Sequence, residues 1–137
     1  SRAGQALQNH AMAVFDAHQL EYTPQGRTEH GEKPDFLFPN QEAYDDSAFP
    51  DEKLRMLAAK TTTRDRFRQV LSEAERIPRK HLLTLEAAIS ENLTENMESN
   101  QLQLVIPAEI HLTFSPAQLS WLWSVADFIE DVKQTQK

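Results

Sequence analysis

Ala6, Leu7, Ala11, Val14, Phe15 and Leu20, with His10 on the same stripe, recur at i, i+3, i+4 and i+7. This spacing predicts an amphipathic helix of roughly four turns at the start of the chain. Tyr22 to Glu32 is broken by Pro, Gly and charged residues. Phe36, Leu37 and Phe38 then form a short bulky run closed by Pro39, the pattern of a brief buried strand. Asn40 to Pro50 is polar and turn-rich. Leu54, Met56, Leu57, Ala58 and Ala59 lead into Lys60 as a second strand, and Thr61 to Thr63 offer hydroxyls to cap a helix from about Arg64 to Arg76, ending before Pro78. His81 to Leu85 reads as a strand, Glu91 to Ser99 as a polar helix, and Leu102 to Ile106 as a strand ended by Pro107. Ser115 followed by Pro116 marks an N-cap and first helical position. Leu119, Leu122, Trp123, Ala126, Phe128 and Ile129 then give one last helix to about Val132, with Trp121 and Trp123 on different faces.

Strand, helix, strand, helix, strand at this spacing implies an α/β fold with a partly parallel sheet and right-handed crossovers. No internal repeat or linker divides the chain. Its 137 residues suit a single domain, 1–137. The absence of cysteine excludes disulfides, thiolate metal sites and a cysteine nucleophile. No apolar run approaches the ~18 residues of a membrane span, and no signal segment opens the chain. The expectation is a soluble, cytoplasmic protein.

Fourteen basic against 21 acidic residues give a net charge of −7, which at first sight argues against an anionic partner. The distribution changes that picture. Between Arg55 and Lys80 lie eight basic and three acidic residues, a local +5 against −12 for the remainder. Such a block is either an anion-binding surface or a solvated helix face with Arg–Glu pairs, because charge acts locally under physiological screening. Within it, Arg64, Asp65, Arg66 and Arg68 are expected in the first turn and a half of the helix. Arginine forks grip guanine O6 and N7, and a carboxylate accepts from cytosine N4, so this segment is a candidate reader of G·C pairs.

Asp35 opens one expected strand, Lys60 ends another, and Glu73 falls on the helix that follows. Two carboxylates can hold a hard divalent ion such as Mg²⁺, and a neighbouring lysine can orient water and steady charge on a phosphate. Singly, these residues read as a turn residue, a strand-end cation and a solvated helix position. Together with the basic segment they are the parts for phosphodiester hydrolysis.

Pro34-Asp35 with Lys60 resembles the PD-(D/E)xK nuclease superfamily. Longer strings resemble the C-terminal catalytic domain of EcoRII-type restriction endonucleases: Lys33-Pro-Asp-Phe-Leu-Phe-Pro39, Ala43-Tyr-Asp45, Ala59-Lys-Thr-Thr62, Arg64-Asp-Arg-Phe-Arg-Gln69, Glu73-Ala74 and Lys80-His-Leu-Leu-Thr-Leu85. The resemblance implies a restriction-endonuclease-like mixed central sheet flanked by helices. It further implies a Mg²⁺-dependent type II enzyme that cuts double-stranded DNA at a short C/G-rich palindrome similar to CCWGG, acting as a homodimer. By the same resemblance, Asp35 and Glu73 would be metal ligands and Lys60 the catalytic lysine. Tyr44 and Arg66 match active-site positions, and Arg64, Asp65 and Arg66 the base-reading segment, with Arg68 beside them. The superfamily's acidic residue two before the lysine is Ala58 here, and Glu73 supplies the carboxylate from downstream, as in the EcoRII subfamily. Gln8 and Asn9 precede His10 where the family usually carries a glutamate. Family elements that engage DNA upstream of the catalytic core have no counterpart here, so the expectations are a fragment of the whole enzyme, a shortened relative, or the ordered part of a longer protein. A module of nuclease fold that binds specific DNA without cutting, and a nuclease-fold protein with another substrate, are the alternatives.

Overall fold

The structure, a computed structural model, describes residues 1–137. Five strands form one sheet in chain order: β1 (Thr23–Pro24), β2 (Phe36–Phe38), β3 (Arg55–Ala59), β4 (Lys80–Leu83) and β5 (Leu102–Val105). The first three are antiparallel and the last three parallel, so the sheet is mixed. Six α-helices accompany it: α1 (Arg2–Ala17), α2 (Gln41–Asp45), α3 (Phe67–Leu71), α4 (Glu91–Ser99), α5 (Pro116–Leu119) and α6 (Val125–Thr135). None is long and apolar enough to cross a membrane.

Successive strand residues point to opposite faces, and both faces are covered, which is why the strands carry no polar alternation. Phe36, Phe38, Leu57, Ala59, Leu83 and Val105 pack with Leu7, Ala11 and Phe15 of α1 and Phe128, Ile129 and Val132 of α6. Leu37, Met56, Ala58, Leu82 and Leu104 face the other way, onto Tyr44 of α2, Phe67 and Val70 of α3, Met97 of α4 and Leu122. The Phe15 ring meets Phe36 and Phe38 edge-on at 5.2 and 5.3 Å, fixing α1 across the start of the sheet.

Several sequence-based boundaries differ. The helix expected over Arg64 to Arg76 is only α3, five residues long. Arg64, Asp65 and Arg66 form the turn leading into it, and Glu73 lies in the bend just beyond its C-cap, Ser72. Ala74 adopts a left-handed φ of 51°, which no helix continues. The turn-rich segment after Asn40 contains α2, because the Asn40 side chain accepts from Ala43 N at 2.7 Å and caps it. The single last helix is two. Ser124 starts α6 with its own capping box to Asp127. Trp123 is thereby freed to bridge Val105 at the edge of β5, so neither Trp121 nor Trp123 is helical.

Candidate active site

Asp35 precedes β2 and Lys60 follows β3; because these strands are antiparallel, both residues emerge at the same end of the sheet. The ladder between Phe36 and Leu57 brings the Asp35 carboxylate back over β3, where Oδ2 accepts from Ala59 N at 2.8 Å. Lys60 Nζ stands 3.2 Å from the same oxygen. The other oxygen, Oδ1, accepts from Gln8 Nε2 of α1 at 2.9 Å. Asp35 is 4% exposed, so this is a desolvated carboxylate held from one side by the end of β3 and from the other by α1.

Glu73 is buried on the adjoining bend, and its Oε1 has no hydrogen-bond partner. Burial pushes its carboxyl up to about 7, against the pull of Lys60 and with further push from Asp35 and Glu32; Lys80 also pulls it down. Asp35 and Lys60 thus form an ion pair, and both charges bear on the Glu73 carboxyl. An unpartnered, desolvated carboxylate oxygen beside a second buried carboxylate can take up either a proton or a cation. No group of three or more His, Cys, Asp or Glu side chains is arranged to hold a metal ion. Two carboxylates suit a hard ion such as Mg²⁺, which retains waters and takes further oxygens from a phosphate.

The bend that carries Glu73 is clamped from three sides. Ala74 N donates to Thr28 Oγ1 at 3.0 Å and Glu75 N to Glu29 Oε1 at 3.2 Å. The buried Lys80 ammonium donates to the carbonyls of Ala74 and Ile77 at 2.8 and 2.5 Å, and burial pulls its pKa below the usual lysine range. Tyr44 belongs to this clamp. Its hydroxyl donates to Glu29 Oε1 at 2.6 Å and accepts from Arg76 N at 3.2 Å, with no bond to Asp35, Lys60 or Glu73. Burial and the bond to Glu29 push its phenol upward, so it stays protonated. The Arg76 guanidinium ties the bend to the α2 region through Asp51 and the carbonyls of Tyr44, Asp46 and Phe49.

The basic block thus divides. Arg76 and Lys80 hold backbone carbonyls, and Arg55 pairs with Asp131 at 2.7 Å, so these three are structural. Arg64, Asp65 and Arg66 are exposed and their side chains make no hydrogen bond or ion pair; Arg68 lies over the Phe67 ring at 5.0 Å. Thr28, Glu29, Glu32 and Lys80 were not foreseen, because no local spacing marks residues that meet only through the tertiary fold.

The EcoRII C-terminal family model matches residues 1–129. The type II restriction enzyme EcoRII of Escherichia coli is 41% identical over 133 residues, which is 96% of this chain and 33% of that protein, so this chain spans about a third of its relative. Among solved structures, metal-depleted Ecl18kI in complex with uncleaved, modified DNA aligns with a TM-score of 0.82 at 20% identity, over 98% of this chain and 45% of that one. The complex of the restriction endonuclease PspGI with substrate DNA aligns at 0.74 and 14% identity, over 98% and 61%. At such identities the structures speak for the fold, a restriction-endonuclease-like mixed sheet. The family match spans the residues that include Asp35, Lys60 and Glu73, and the chain belongs to the EcoRII C-terminal family.

Proposed function

We propose that this chain is the catalytic domain of a type II restriction endonuclease of the PD-(D/E)xK superfamily. It hydrolyses phosphodiester bonds of double-stranded DNA with Mg²⁺ at a short C/G-rich palindrome similar to CCWGG. The observation that carries this reading is the meeting of Lys60 and Asp35 with Glu73, whose buried Oε1 has no partner.

Asp35 and Glu73 would hold the cation, which when bound supplies Lewis-acid stabilisation of phosphate charge and a more acidic water. Asp35 keeps Lys60 at the end of β3, and the ammonium there steadies negative charge on the scissile phosphate and orients the attacking water. Ala58 leaves room where the superfamily has an acidic side chain, and Glu73 supplies that charge from the bend after α3. The turn of Arg64, Asp65 and Arg66 is free to contact base edges, with Arg68 nearby on α3. A two-fold palindrome cut on both strands calls for a homodimer. The Ecl18kI and PspGI structures hold DNA on the same fold, which supports DNA as partner.

Purified protein incubated with Mg²⁺ and plasmid carrying CCWGG sites is expected to give discrete fragments; intact plasmid across salt and enzyme concentrations would sink the reading. Because the chain spans only about a third of its E. coli relative, a second reading is a module that binds the site without cutting. Sequence-specific gel shifts without scission would select it.

A further inference from the structure

The two oxygens of Asp35 are not equivalent. Oδ2 accepts from Ala59 N and faces the Lys60 ammonium at 3.2 Å as an ion pair. Oδ1 accepts from Gln8 Nε2 alone, so a lone pair of this oxygen remains open, and the bond to Gln8 sets the orientation of the carboxylate. Gln8 is itself oriented, because Gln25 Nε2 donates to its Oε1 at 2.7 Å. Turned over, the Gln8 amide would set oxygen against the Asp35 carboxylate and nitrogen against the Gln25 amide, so the relay admits one orientation.

The relay is built into the hairpin that carries Asp35. Gln25 N donates to the Asp35 carbonyl at 2.8 Å, and Gln25 holds a left-handed φ of 53° to do so. Gly26 follows because a Cβ there would come within 2.5 Å of the Leu37 side chain. Gln8 directly follows Leu7 and lies about one turn before Ala11, both sunk in the core, so helix packing presets its height over the carboxylate.

We infer that Gln8, oriented by Gln25, is a positioning residue that aims the open lone pair of Asp35 Oδ1 at a divalent cation. The inference rests on the metal-dependent reading above. Hydrogen-bonded partners of metal ligands set affinity by fixing ligand orientation, and losing one costs about 10–100-fold in binding. Gln8→Met keeps the length of the side chain and removes both the carbonyl and the NH₂ of its amide; Gln25→Ala leaves the donor but frees it to turn.

Mn²⁺, which takes the same oxygen ligands as Mg²⁺, serves as probe in titrations of the full chain followed by the resonance of the free ion. Wild type is expected to bind Mn²⁺ in competition with Mg²⁺, and Asp35→Ala to lose that binding. Gln8→Met is expected to weaken it about 10–100-fold with an unchanged melting temperature, and Gln25→Ala to weaken it less, in the same direction. Wild-type affinity in a folded Gln8→Met protein overturns the role of Gln8 alone. Absence of Mn²⁺ binding in the wild type, or its persistence in Asp35→Ala, overturns the metal reading and this inference with it.

Discussion

Lys60 Nζ lies 3.2 Å from Asp35 Oδ2 although 25 residues separate them in the chain. The antiparallel pairing of β2 with β3 makes this meeting a consequence of register, since a slip by one residue would carry Lys60 to the opposite face. Asp35→Asn preserves an acceptor for Ala59 N but removes the charge that pairs Lys60. DNA cleavage is expected to fall by at least about a hundredfold with the melting temperature little changed. Lys60→Ala is expected to lose cleavage equally while DNA binding, read by gel shift, is largely kept.

Much of this arrangement was legible in the chain, and the exceptions have physical causes. β2, β3 and α1 are local patterns of apolar side chains, so periodicity found them, and Asp35 and Lys60 came with their strand ends. The bend at Glu73 is different, because its carbonyls are satisfied by Lys80, its amides by Thr28 and Glu29, and none of these lies within a helical turn of it. Helical spacing from Phe67 onward therefore overran the true end of α3. The break before α6 did carry a local mark, Ser124 with Asp127, that the apolar run across Leu122, Trp123 and Ala126 obscured.

Glu73 carries an energetic cost in the metal-free protein. Its folded pKa, about 7, lies above the ordinary 4.5, so its contribution to stability is intact below pH 4.5 and is lost as pH rises through 7. Glu73→Gln removes the buried charge. At pH 8 without metal, its melting temperature is expected to exceed that of the wild type by roughly 5 °C, while cleavage is lost. A melting temperature equal to or below that of the wild type would contradict the desolvation account.

His81 acts in the opposite sense. Both ring nitrogens are buried without partners, between Trp123 and Phe128, and burial lowers its pKa from 6.5 to about 4. The unfolded chain takes up a proton first, so stability is full above pH 6.5 and falls as pH drops toward 4, by about 3 kcal/mol for this one group. The Glu73 slope overlaps this window with opposite sign. The difference between wild type and His81→Leu in denaturant titrations isolates the histidine: it is expected to shift in favour of the variant across pH 6.5 to 4 and to stay flat above pH 7.

Arg66 is exposed at the turn before α3, and its side chain has no partner within the chain. If it reads a base edge, Arg66→Ala is expected to cost about 1–3 kcal/mol of binding to the specific site. Binding to random duplex would change much less. Equal losses on specific and random DNA would make it a phosphate contact instead.

Tyr44 makes no hydrogen bond to Asp35, Lys60 or Glu73, and its hydroxyl supports the bend. Its hydroxyl joins Glu29 to Arg76 N, and Glu29 in turn holds Glu75 N, two residues beyond Glu73. Tyr44→Phe leaves the ring packed but strands the Arg76 amide and loosens one anchor of the bend, at about 1–3 kcal/mol for the unmet donor. Glu29→Ala removes the same anchor from the other side. If both act by holding Glu73 in place, each is expected to lower kcat with KM for DNA unchanged. The double variant would then be scarcely worse than either single one, because the two residues serve one linkage. Full additivity, or a rise in KM confined to Tyr44→Phe, would instead put the phenol against the substrate.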